Sequence, residues 1–427
     1  MARYKKKKHN RILNPPKKRV KPAVKAPKND DIIMEKAPSK NKKSKPEQPK
    51  TMHVVKGKKG ERTKRLKAVG VLALGLALVI LLLEVVFPAG ILQTLSNAVA
   101  TIGAGNFPIA VSGSETLSVV PFGNYFYHLT DTHISAYSTG GKILFSESHG
   151  FEKPVLAVSK GRALLYNQGG EDGLILDLRG VKHNFKTKNE IICGDISNSG
   201  SYAVTTYSDS YASAVTVYNK RNKVVYEWYS AEDIINNVAI AASGKKIAVS
   251  TFNSVSGTFD SKVNVINFKS ATPEFAEKYE NQIIYSLKSS NKSTFCVIKS
   301  NGIDFVKWRS HKLKNYKDDY NVYYVRMNGG RKVGVFSRER DRTDNKIVIF
   351  SKSGRVKATV NYKGIINDIQ VKGSNIYCLN DSEVTVLDFK GNVKHTAQYG
   401  FAGRGISVVS ANVVAVITNN EIKRVKF

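Results

Sequence analysis

Asp131 and His133, two apart in the segment DTHIS, have the residue types for a general acid and base. Asp and Thr are also turn formers, so at a hairpin the pair reads as turn chemistry. Asp318 and Asp319 stand together in KDDY, Lys317 to Tyr320, ahead of an apolar run, and read as a solvated turn rather than a metal site. The acids of RERDRTDNK, Arg338 to Lys346, lack the spacing of a calcium loop. YNQGGEDG, Tyr166 to Gly173, has paired glycines but opens no helix, so it is not a phosphate loop. Cys193, Cys296 and Cys378 fall in expected strands without metal-ligand spacing and read as buried free thiols. No nucleophile, base and oxyanion donors assemble, and no motif calls for a cofactor. A binding module is therefore the first reading and an enzyme the second.

Residues suited to recognition gather in three long polar segments. These are YSDSYAS (Tyr207–Ser213), FNSVSGTFDSK (Phe252–Lys262) and SRERDRTDNK (Ser337–Lys346). Tyr207, Tyr211, Phe252 and Phe259 offer flat anchors. Arg338, Arg340 and Arg342 offer forked donors for carboxylate or phosphate. The mixture suits a protein or an anionic envelope polymer. Simple loop extension, which costs little, is the competing reading.

The elements that must hold these segments show themselves as a repeat. SGSYAVTTY at Ser199 returns as SGKKIAVST at Ser243, a Ser-Gly turn followed by an apolar strand. The second positions of all such units are Gly123, Gly161, Gly200, Gly244, Asn291, Gly330, Gly373 and Ala411, at intervals of 38, 39, 44, 47, 39, 43 and 38 residues. Glycine suits a turn that needs positive φ, and Asn tolerates it next best. Each unit reads as four short strands, the mark of a β-propeller. The expected fold is all-β, an eight-bladed β-propeller of four-stranded blades, with a seven-bladed ring holding one degenerate unit as the alternative. The last unit lacks a fourth strand, and FPIAV (Phe107–Val111) is expected to supply it and close the ring. In such a ring the short turns lie on one face and the three long segments on the other.

The N-terminal quarter differs in kind. Residues 1–67 hold 25 Lys and Arg against 5 Asp and Glu, most of the chain's net +33. They read as a disordered basic cytoplasmic tail. Residues 68–87, AVGVLALGLALVILLLEVVF, carry one charge, Glu84, and would span roughly 30 Å as a helix, the thickness of a bilayer core. A cleaved signal peptide, with AVA at Ala98–Ala100 as its site, is disfavoured by the length of the basic region ahead. The expected organisation is tail 1–67, transmembrane helix 68–87, linker 88–106 and propeller 107–427. Basic residues stay inside, so the tail is cytoplasmic and the C-terminal domain extracytoplasmic. The tail suits anionic inner-leaflet lipid, and its few aromatics argue against nucleic acid. No feature sets an oligomeric state.

This layout resembles a family of Gram-positive bacterial proteins with a Lys-rich tail, one membrane span and an extracytoplasmic propeller of WD40-like or quinoprotein-like repeats. No activity is assigned to that family, so the resemblance implies topology and fold. The regular His and Trp-Asp pairs of WD40 blades are missing. Two tryptophans, Trp228 and Trp308, are too few for the repeated tryptophan motif of quinone-dependent dehydrogenases. The expected function is a membrane-anchored binding or scaffolding module for a protein or cell-envelope polymer. The alternative is an extracytoplasmic hydrolase or lyase acting on an envelope glycan.

Overall fold

The structure, a computed structural model, describes residues 67, 69–79, 91–103, 105–255, 257–270, 272–291, 293–328, 331–338, 342–400 and 402–427. Most of the expected basic tail, residues 68 and 80–87 of the expected span, and Arg340 lie outside the described residues. Residues 69–79 are helical. Among the described residues no helix is long and apolar enough to cross a membrane.

Eight four-stranded antiparallel sheets follow one another along the chain. They occupy residues 116–148, 154–186, 191–230, 234–279, 284–317, 321–363, 368–398 and 405–426 with 109–110, and are called blades 1 to 8. The count is eight, not seven. Within each blade the four strands are called a to d, from the ring axis outward. The middle strands are apolar runs because a neighbouring blade covers each of their faces. Strand b of blade 1, Tyr125–Thr130, and strand b of blade 5, Thr294–Lys299, are buried at every position. Each large apolar side chain so buried contributes about 1.5–3 kcal/mol. Strand d has only one covered face, and Val393–Gln398 in blade 7 is almost wholly exposed.

Ring closure takes the expected form. Ile109–Ala110 forms the outer strand of blade 8, beside Glu421–Lys426. Ile109 pairs with Ile422 and Ala110 with Glu421. The Val111 amide then donates to the Asn420 carbonyl at 3.0 Å. Ile109, Val119, Phe126 and Tyr137 pack with Ala415, Ile417 and Ile422, joining blade 8 to blade 1. The a–b turn glycines behave as their spacing implies: Gly200 and Gly244 have φ of 82° and 67°. Asn291 departs from the pattern. It ends strand a rather than forming the turn, and its Oδ1 accepts the Ser293 amide at 2.8 Å.

The stretch expected as a plain linker contains a helix, α1, Ile91–Ala100. It lies on the short turns of blades 1 and 2. Asn97 Nδ2 donates to the Lys160 carbonyl at 3.3 Å, and Arg179 donates to Ser96 Oγ. Lys142 Nζ donates to the carbonyls of Ala100, at the helix end, and of Ile102, just beyond it, both at 3.2 Å, so it satisfies one of the helix's terminal acceptors. The chain therefore enters the ring from the face of the a–b and c–d turns.

Candidate functional site on the loop face

The b–c loops and the connections between blades share the opposite face. Here the two middle strands of blade 4, Lys246–Val255 and Thr258–Asn267, run ten residues each. Their outer pairs, Asn253↔Asp260, Ser254↔Phe259 and Val255↔Thr258, extend beyond strands a and d as a projecting hairpin. Phe252 and Phe259 stack on its side, with ring centroids 5.7 Å apart. Phe259 is 46% exposed. On blade 3, Tyr207 ends strand b and Tyr211 occupies the b–c loop, both exposed. Tyr211 packs on Tyr229 at 4.9 Å, a partner from the end of strand d.

Two further exposed tyrosines arise from a device the repeat did not reveal. Strand a carries a register shift at its second or third residue in blades 1, 3, 4, 5 and 6, leaving one residue unpaired. In blades 5 and 6 the unpaired residues are Tyr285 and Tyr323. A bulge re-aims its side chain, and here it leaves Tyr285 55% exposed. Tyr207, Tyr211, Tyr229, Phe259, Tyr285 and Tyr323 thus form an aromatic series on the loop face of four consecutive blades.

Arg338 and Arg342, the two described arginines of the set, are engaged rather than open forks. Arg338 lies over the Tyr320 ring at 4.7 Å and 3.9 Å from Asp344. Arg342 lies over Tyr323 at 4.7 Å and donates to its hydroxyl. Lys346 covers Tyr320 at 4.5 Å and pairs with Asp318 at 2.8 Å. Asp318 also accepts from the Tyr316 hydroxyl at 2.6 Å and the Tyr320 amide at 3.1 Å. Burial pushes its carboxyl up, but these donors together outweigh burial and hold it below the usual range. The acid of KDDY is thus a brace for blades 5 and 6. The structure groups the sequence-marked residues as an aromatic set on blades 3 and 4 and a cation–tyrosine set on blade 6.

The other residues with chemical potential are structural. Asp131 accepts from the Ser114 amide at 2.9 Å, the Ser114 hydroxyl at 2.5 Å and the Glu115 amide at 3.2 Å. Hydrogen bonds from Ser114, first from its hydroxyl, push the carboxyl down to about 2. His133 instead meets Thr132 Oγ1 at 3.0 Å. On the axis, Asp195 accepts the Ile240 amide at 2.9 Å and Asp368 the Ile406 amide at 3.0 Å, each joining its strand a to that of the next blade. Asp368 also pairs with Arg326, whose Nη1 reaches the Val119 carbonyl at 2.9 Å in blade 1. The three cysteines are free, and burial pushes the thiols of Cys193 and Cys296 up to about 11 and 12. Among the described residues no group of three or more His, Cys, Asp and Glu could hold a metal ion.

Two solved structures are similar in fold. BamB from Moraxella catarrhalis matches with a TM-score of 0.47 and 11% identity, over 75% of this chain and 99% of BamB. The Cps50 (Swd1) β-propeller domain of Myceliophteria thermophila matches with a TM-score of 0.43 and 10% identity, over 75% and 99% of the two chains. No curated protein matches in sequence. A family model matches residues 108–427, the whole ring, and the chain belongs to that family of unknown function, DUF5711.

Proposed function

We propose that the protein is a membrane-anchored, extracytoplasmic binding module that holds a protein partner on the loop face of blades 3 to 6. The exposed aromatic series carries the reading. Tyrosine and phenylalanine on rigid strand ends supply contact area at low entropic cost, and they are the residue types that dominate interface energetics. Arg342, lying over Tyr323 and donating to its hydroxyl, pre-organises the blade 6 end of the series. The loops of this face carry more acids than bases. That favours a protein over an anionic envelope polymer. The rival reading, a glycan hydrolase or lyase, needs a free carboxylate pair near the axis, and Asp195 and Asp368 are used to join blades.

Anchoring is supported by the helical residues 69–79, which are apolar throughout, with all their large side chains exposed. Such a helix suits lipid as its solvent. The basic tail then lies on the cytoplasmic side, suited to inner-leaflet anionic lipid.

The test is site-specific photocrosslinking in the intact, membrane-bound protein. Probes at Tyr211 and Phe259 give a discrete crosslinked partner that a probe at Ser353, on the turn face, does not. Replacing Tyr211, Phe259 and Tyr285 together with Ala abolishes that capture and leaves the melting temperature near that of the parent. A triple variant that captures the same partner at full strength places the site elsewhere.

A further inference from the structure

The two faces of the ring carry opposite charge. Among the described residues the a–b and c–d turns hold 12 Lys and Arg against 2 Asp and Glu, a net of +10. The described residues of the b–c loops and of the connections between blades hold 5 against 12, a net of −7. The excess is also uneven around the ring. Blades 5 and 6, residues 284–363, hold 19 Lys and Arg against 6 Asp and Glu, a net of +13. Residues 107–427 as a whole carry 42 against 28, a net of +14. None of the four described acids of blades 5 and 6, Asp304, Asp318, Asp319 and Asp344, lies in an a–b or c–d turn. Lys307, Arg309, Lys312, Lys352, Arg355 and Lys357 lie at the c–d turns of these blades, and all are exposed. Among the described residues none of the six forms an ion pair within 4.0 Å.

The turn face is also where the chain arrives. α1 is fixed to the turns of blades 1 and 2 through Lys160, Arg179 and Lys142. Only 11 residues separate it from the apolar helical residues 69–79, a reach of at most about 40 Å. We infer that the turn face of blades 5 and 6 docks on an anionic phospholipid surface, so that the ring lies with its basic face on the bilayer and its acidic loop face outward. This inference rests on the anchoring reading above. Charge complementarity selects the occupant. The cations are spread over two blades rather than converging on a pocket, which matches a plane of phosphate headgroups. Trp308, the one aromatic residue of these turns large enough to stack broadly on a base, is buried, which disfavours single-stranded nucleic acid. Each Lys or Arg near such a surface contributes about five-fold to the partition. The acidic loops are repelled by the same surface, so both faces set one orientation.

The experiment uses the full chain in phosphatidylcholine vesicles with or without phosphatidylglycerol. Single cysteines at Ser353, on the turn face, and Ser210, on the loop face, carry an environment-sensitive fluorophore, and a nitroxide lipid is the quencher. With phosphatidylglycerol, quenching at Ser353 rises several-fold over quenching at Ser210. Salt reverses it, because exposed charges beyond a Debye length are screened. The combined variant Lys307→Glu, Lys312→Glu, Arg355→Glu and Lys357→Glu loses it while keeping the parent's circular dichroism and melting profile. Equal quenching at the two sites, or quenching at Ser353 that is indifferent to phosphatidylglycerol, overturns the inference. Retention on vesicles after an alkaline wash reports anchoring separately. If the chain washes off, the anchoring reading fails, and salt-dependent sedimentation of the same chain with phosphatidylglycerol vesicles decides the face on its own. Loss of that sedimentation in the four-site variant supports the face, and sedimentation equal to the parent's overturns it.

Discussion

His128 shows what burial does to a group that sequence alone would class as a pH-sensitive base. It lies on strand b of blade 1, 1% exposed. The Thr116 hydroxyl donates to the Thr418 carbonyl at 3.2 Å, so the ring Nε2, 3.0 Å from Thr116, must be the donor in that pair. Burial pushes the ring down from 6.5 to about 4. Between these values the unfolded chain binds a proton that the folded chain refuses. Stability is therefore full above pH 6.5 and is lost as pH falls toward 4, by on the order of 3 kcal/mol. The variant His128→Gln keeps an amide donor for Thr116. It should flatten the fall in melting temperature between pH 7 and pH 5, and a parent-like slope would assign that fall to other groups. Arg326 is a second case. Its partner Asp368 is buried, so Arg326→Met leaves a carboxylate without its counter-charge, at a cost of about 3–5 kcal/mol. Adding Asp368→Asn should recover much of that loss in urea unfolding. Strictly additive costs would mean that the two groups do not act as a pair.

At the scale of elements, the closing strand is the most exposed to test. Ile109–Ala110 is only two residues long, yet it covers the edge of Glu421–Lys426 and places Ile109 against Val119 and Ile422. Deleting Phe107–Val111 removes that cover and opens the ring. The expected result is a fall of several degrees in melting temperature and faster aggregation through the bared edge. A deletion variant that melts like its parent would show that the strand does not carry closure. This strand was legible because each blade repeats one local grammar, a turn residue and an apolar strand, and the eighth unit was visibly one strand short. The bulges were not legible. One extra residue at the start of strand a leaves no trace in an apolar run, so Tyr285 and Tyr323 read as ordinary strand residues. The partners of Arg338 and Arg342 were not legible because Tyr320 and Tyr323 come from the d–a connection and strand a, distant in sequence from the b–c loop. α1 was passed over because its short mixed sequence, ILQTLSNAVA, gains its order from the turns of blades 1 and 2.

At the scale of the molecule, the charge asymmetry was present in the sequence but invisible until the strands sorted each turn to a face. It also fixes how orientation can be measured. Cys296 and Cys378 are buried, and the Cys193 thiol is pushed up to about 11 by burial, so the parent should react slowly with a membrane-impermeant maleimide. Ser210→Cys places a thiol on the exposed loop of blade 3, and Ser353→Cys places one on the exposed c–d turn of blade 6. Lys28→Cys places one in the basic segment, which the anchoring proposal puts in the cytoplasm. In intact cells freed of their wall, Ser210→Cys should label fast and Lys28→Cys only after permeabilisation. The reverse pattern would sink the extracytoplasmic reading and every claim about an external partner. Ser353→Cys separates the remaining cases. A ring held with its basic face on the bilayer crowds that site, so its rate should fall below that of Ser210→Cys and rise when salt loosens the face. A ring hanging free on its anchor exposes both sites alike, and the two rates should then agree at every salt concentration.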